Sequence, residues 1–184
     1  MTTLKNSTIL GKVIFVLAVA ICFGFLGFYF GQQRTPQNVK EAEKLATPTV
    51  AVQLNKEFEF PIEEAPESDA SYKMILTDAK KVKLVATQGE PIQAEAGKEF
   101  LILTLEIEND NAFPFEVNNQ HYFRLQGEED KSYAPDFYND LIEIPAVSTK
   151  KDELGFIVPA EQMQFKLLVG PIIEEEKEEI VINF

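Results

Sequence analysis

The side chains that could do chemistry are few. His121 is the only histidine in 184 residues, and Cys22 is the only cysteine. A Ser-His-Asp mechanism needs an imidazole to take the serine proton. His121 sits in Asn118-Asn119-Gln120-His121-Tyr122-Phe123, which reads as a strand start with no nucleophile elbow beside it. Zinc and copper sites need several His or Cys ligands, which this chain lacks. Calcium needs only oxygens. Its candidates are Asp110 in Asn109-Asp110-Asn111, and Glu128 and Asp130 in Glu128-Glu129-Asp130, with Asp136 and Asp140 sharing a later loop. None of these fits the D-x-D-x-D-G pattern, and solvated surface charge accounts for them all. Paired carboxylates could serve a glycosidase, but there is no tryptophan and no aromatic platform is evident. The reading is therefore of a protein that is not an enzyme, with no catalytic residue, no cofactor and no metal assigned beyond the calcium candidates.

Charge narrows the partners. The formal net charge is −13, and all thirty acidic residues follow Phe30, whereas Lys5 and Lys12 precede it. An acidic surface argues against nucleic acid and anionic lipid, both of which select Lys/Arg clusters.

What positions the acidic part is Val13 to Phe30, VIFVLAVAICFGFLGFYF, eighteen residues without a charge, an amide or a proline. As a helix it would cover about 27 Å, close to the ~30 Å hydrocarbon core of a bilayer. The spacing predicts a transmembrane helix over 13–30 that contacts the lipid bilayer. The run extends well past Ala18-Val19-Ala20, too far for a cleaved signal peptide, and Ile21 before Cys22 is not the small residue that lipidation requires. The expectation is an uncleaved signal anchor of a single-pass protein in the cell membrane, with residues 1–12 a cytoplasmic tail and the C-terminal domain extracytoplasmic. Basic residues lie on both sides of the span, so charge counting alone does not orient it. Ala20, Gly24, Gly27 and Gly31 share one helix face, and Gly27 to Gly31 reads G-x-x-x-G, a pattern that would let two such helices pack as a homodimer.

Residues 31–49 read as a polar linker with a short helix, capped at Asn38 and stopped by Pro48. From Val50 the period changes to two. Strands are expected over 50–60, over 72–77 and 82–87 with a break at Asp78-Ala79-Lys80-Lys81, and over 99–109. Others are expected near Phe115, from His121 to Leu125, at 141–145, 153–158, 163–169 and 180–184. Gln88 to Gly97 reads as a turn-rich connection. In EFLILTLEIEN one face carries Leu101, Leu103, Leu105 and Ile107. The other runs from Phe100 and Ile102 to Glu106 and Glu108, from a core towards solvent. Short strands separated by turn signals make an all-β chain over 50–184, an immunoglobulin-like antiparallel β-sandwich. It has no Cys…Trp…Cys signature and would be held by packing alone.

Ala96-Gly97-Lys98-Glu99-Phe100, its alternating strand and Asn109-Asp110 resemble a family of uncharacterised bacterial immunoglobulin-like ectodomains. Such ectodomains are found on lipoproteins and single-span membrane proteins. Phe123-x-Leu125, Gly127, Tyr133 and Gly155-Phe156-Ile157-Val158-Pro159 continue the likeness, which spans about residues 74–184. The resemblance implies an extracytoplasmic sandwich and no catalytic residue. Two departures stand out: there is no lipobox, and Pro145-Ala146-Val147-Ser148 stands where the family usually has a Pro-Gly turn. The functional expectation is a binding module for an unknown protein or small ligand, through its end loops or by strand addition at a sheet edge. The alternative is a structural or accessory subunit of an envelope complex.

Overall fold

The computed structural model describes residues 47–62, 69–87 and 90–184. The expected span at 13–30, its small-residue face Ala20, Gly24, Gly27 and Gly31, and the linker helix lie outside the described residues. No helix among the described residues is long and apolar enough to cross a membrane.

Among the described residues twelve strands follow one another: β1 (Val50–Pro61), β2 (Ser71–Val82), β3 (Leu84–Thr87), β4 (Glu90–Gln93), β5 (Lys98–Asn109), β6 (Phe115–Val117), β7 (Phe123–Gln126), β8 (Ser132–Tyr133), β9 (Ile142–Ile144), β10 (Ser148–Pro159), β11 (Gln164–Val169) and β12 (Glu178–Asn183). They pair antiparallel into one four-stranded sheet, β1-β2-β5-β10, a second, β12-β11-β7-β8, and the two-stranded ribbons β3-β4 and β6-β9. The main core draws on both large sheets. Met74, Leu76, Leu103 and Leu105 of the first meet Phe123, Phe165, Leu167 and Ile182 of the second. At about 1.5–3 kcal/mol per fully buried side chain, this layer holds the two sheets together without a disulfide.

Four readings from sequence are corrected. The break expected at Asp78–Lys81 is absent, because β2 runs through it with an irregularity between Leu76 and Asp78. The extra residue resets the alternation, so Ala79 and Lys81 turn inward. Gln88 to Gly97 contains β4, whose Pro91 is tolerated in a two-stranded ribbon where ladder donors are dispensable. His121 lies exposed on a 3-10 turn, Asn119–His121, capped by Asn118, instead of starting a strand. The strand expected to begin at Glu153 starts at Ser148.

Two buried polar clusters fasten the sandwich. Lys81, 1% exposed, lies 3.1 Å from the Glu99 carboxylate and donates to the carbonyls of Ala160 and Gln162 at 2.6 and 3.0 Å. Thr49 Oγ1 donates to Glu99 as well, and the Thr49 N–H donates to the Lys81 carbonyl, tying down the point where the chain enters the domain. The Lys81 contact with Glu99 Oε2 is an ion pair without hydrogen-bond alignment. At the end of β5, Asn109 is 1% exposed and donates from Nδ2 to the carbonyls of Phe113, Ile144 and Pro145. Its Oδ1 accepts from the Asn111 backbone N–H and from Asn111 Nδ2. That cluster fixes the corner at which Val147 N–H donates to Asn111 O, 3.1 Å away.

Candidate functional site: an open cavity on the outer sheet face

The outward face of β5 changes character along its length, as its alternation predicts, but its apolar half does not enter the main core. Phe100 and Ile102 form a separate buried cluster with Val82, against which Val85, Ala94 and Phe137 pack. The β3-β4 ribbon covers this patch from one side, held by the Ala94 N–H donating to the Lys83 carbonyl at 2.9 Å. The loop from Ala134 to Asp140 covers it from the other.

That loop is pinned in three ways. Gly155 exchanges backbone hydrogen bonds with Phe137, and Asp136 N–H also donates to the Gly155 carbonyl. Asp136 Oδ2 accepts from the Ile157 N–H at 2.7 Å. Asn139 Nδ2 donates at 2.6 Å to Oδ1 of Asp152, a carboxylate only 5% exposed whose Oδ2 accepts from buried Asn119. Gly155 is required for the approach. A Cβ there would lie 2.6 Å from Ile102 Cδ1 and 3.1 Å from the Leu101 carbonyl. Phe137 then meets Phe100 edge-on, with ring centroids 4.9 Å apart.

Between the two covers is a cavity of about 670 Å³, within the ~300–1,000 Å³ typical of small-ligand sites. Its floor is Val82 and Ile102, one wall is Leu84, Val85 and Ala86, and the other carries Phe137 and Tyr138. Asp136, Asp140 and Glu153 also line it. Among the described lining residues the single cation is Lys80, held 2.6 Å from Glu153. Three carboxylates against one paired ammonium leave the lining negative. Further along the same sheet face the surface is polar. Thr104 donates to Asp78, and Lys151 lies 2.8 Å from Glu106, whose hydrogen bond and charge hold the ammonium above its ordinary pKa. Burial pushes the Arg124 guanidinium down, and its Nη1 donates to the Gln120 and Phe123 carbonyls.

The calcium candidates are dispersed. Asp110 is exposed beyond the end of β5 and lines a small concavity with Glu59, Asp69 and Glu108. Glu128 is exposed on the 3-10 turn Glu128–Asp130, beside a different groove. Among the described residues no group of three or more His, Cys, Asp or Glu side chains is placed to hold a metal ion. Asp136 and Asp140, noted only as sharing a loop, do come together in the cavity lining. Asp152, Asn119 and Asn139 carried no sequence signal, since they are brought together from separate segments.

An all-β sandwich with an open, acid-lined surface cavity defines the class. The chain belongs to the family described as Domain of unknown function (DUF4352), whose model matches residues 64–179. Among solved structures, a conserved hypothetical protein from Bacillus anthracis is similar in fold, with 17% identity over 71% of this chain and 96% of that one and a TM-score of 0.50. An uncharacterised β-sandwich protein from Clostridium difficile 630 matches at 14% identity over 64% and 87% of the two chains, with a TM-score of 0.42. The yjhA protein from Bacillus subtilis matches at 12% identity over 61% and 90%, with a TM-score of 0.40. No curated protein matches the chain.

Proposed function

We propose that the protein is a membrane-anchored, extracytoplasmic, non-catalytic binding module, and that the cavity over Val82 and Ile102 holds its ligand. The carrying observation is that cavity: preformed, apolar at its floor, aromatic on one wall and negative in its lining. This chemistry suits a small ligand that joins an apolar or aromatic group to a basic one, the first filling the floor and the second meeting Asp140 and Glu153. The eighteen-residue apolar run at 13–30 supports the anchor, and its position before the domain supports the outward orientation. Strand order supports the immunoglobulin-like form of the sandwich. With β2, β5 and β10 as strands A, B and E, the second sheet reads G-F-C-C′ as β12-β11-β7-β8. The spacing of Ala20, Gly24, Gly27 and Gly31 favours the second reading, a subunit of an envelope complex whose helix contributes contacts of its own. Calorimetric titration of the full-length chain with phenethylammonium tests the cavity. Saturable heat that disappears in Ala86→Trp, which fills the wall, is the expected result; identical heats in both proteins would refute it.

A further inference from the structure

The apolar floor of the cavity ends at one pair of opposite charges. Along the outward face of β5, Phe100 and Ile102 give way to Thr104 and Glu106. Lys80 of β2 stands beside Ile102 in register, and Glu153 of β10 stands beside Thr104 on the other side. Their side chains meet across β5 at 2.6 Å, and both line the cavity. We propose that the cavity takes a free α-amino acid with a large apolar side chain, bound as its zwitterion, with Lys80 receiving the carboxylate. This rests on the cavity being the binding site, and it names the class of ligand.

The carboxylates are divided in their work. Asp136 already accepts the Ile157 N–H. Asn139, clamped to Asp152 at 2.6 Å, brings the neighbouring Asp140 to the end of the cavity where Glu153 stands. Glu153 and Asp140 are then placed for an ammonium and Lys80 for a carboxylate. The pair between Lys80 and Glu153 is solvated, with side chains 28% and 55% exposed. Exposed ion pairs hold little free energy, so a ligand that supplies a partner for each charge can part this one.

Charge selects between ligands. An amine that draws Glu153 to itself leaves Lys80 without its counter-charge and close to a second cation. A simple carboxylate that pairs with Lys80 meets Glu153 and Asp140 instead. An α-amino acid carries both charges on one carbon, so its head can sit at the edge of the floor with each charge matched. Its side chain then lies over Val82 and Ile102 and against Phe137 and Tyr138.

The test is calorimetric titration of the full-length chain with phenylalanine and, in parallel, phenethylammonium and 3-phenylpropionate, which each lack one of its charges. Phenylalanine is expected to bind about tenfold tighter than either. Lys80→Met should weaken phenylalanine about tenfold and tighten phenethylammonium, because Glu153 is freed and the competing cation is gone. A misfolded variant would lose both. Phenethylammonium or 3-phenylpropionate binding as tightly as phenylalanine, or a Lys80→Met variant that does not move phenylalanine and phenethylammonium in opposite directions, would overturn the zwitterion assignment while leaving an amine site. Absence of binding by all three at millimolar concentration would overturn it together with the binding role of the cavity.

Discussion

Val147 closes the turn between β9 and β10 with φ of +49°, a left-handed conformation in which a β-branched residue is a genuine outlier. It is 74% exposed, so its isopropyl group has little burial to lose. Its backbone N–H, which donates to Asn111 O, survives any substitution except proline. Replacing it by glycine relieves about 1–2 kcal/mol of left-handed strain. Against this stands about 0.5–1 kcal/mol for the extra freedom glycine gives the unfolded chain. Val147→Gly should therefore stabilise the domain by about 0.5–1 kcal/mol, which for a domain of this size raises the melting temperature by about 2–4 °C. Val147→Ala, which removes the branch but keeps a Cβ, should recover less than half of that. Urea denaturation followed by far-ultraviolet circular dichroism measures both, with unchanged slope showing that the unfolded state is comparable. A destabilised glycine variant, or an alanine variant at least as stable as the glycine one, would refute the strain argument and with it the view that this turn normally belongs to glycine.

Lys81→Met leaves the Glu99 carboxylate buried without its cation and should cost about 3–5 kcal/mol in urea denaturation. Lys81→Met with Glu99→Leu should recover part of that loss, since no charge then stays buried, although the Ala160 and Gln162 carbonyls lack their donor and the Thr49 hydroxyl its acceptor. Gly155→Ala forces Ile102 or the Ala134–Asp140 loop aside, costing about 1–3 kcal/mol. It should also speed hydrogen exchange at the Phe137 and Ile157 amides, whereas unchanged protection would show that the loop is held independently of Gly155. Protease added to intact cells should degrade the domain; protection until lysis would contradict the outward orientation.

The strands with clean alternation were legible because their faces are set locally. In β5, Leu101, Leu103, Leu105 and Ile107 alternate with a face that starts apolar and ends acidic, and the structure keeps both faces as read. What failed were features made by distant partners. Asp78-Ala79-Lys80-Lys81 looks like a polar break, yet Asp78 accepts from Thr104, Lys80 pairs with Glu153, and Lys81 is neutralised by Glu99 and two carbonyls near residue 160. No window of sequence contains those partners. The cavity was invisible for the same reason: its walls come from 84–86 and 136–140, and its floor from β2 and β5. The Gly127 and Tyr133 pair was visible as two family-like residues, but not as a ring edge packed against a glycine. The departure at Pro145-Ala146-Val147-Ser148 is visible as a mismatch with a Pro-Gly turn, and the structure places a positive φ within it, at Val147.

The most direct test of the binding reading follows the methyl resonances of Ile102, Val82 and Val85 in the full-length chain as phenethylammonium is added. The account predicts saturable shifts confined to these methyls and the rings of Phe137 and Tyr138, abolished by Ala86→Trp. Methyls that do not move while the amine binds elsewhere, or that move equally in the blocked variant, would contradict it.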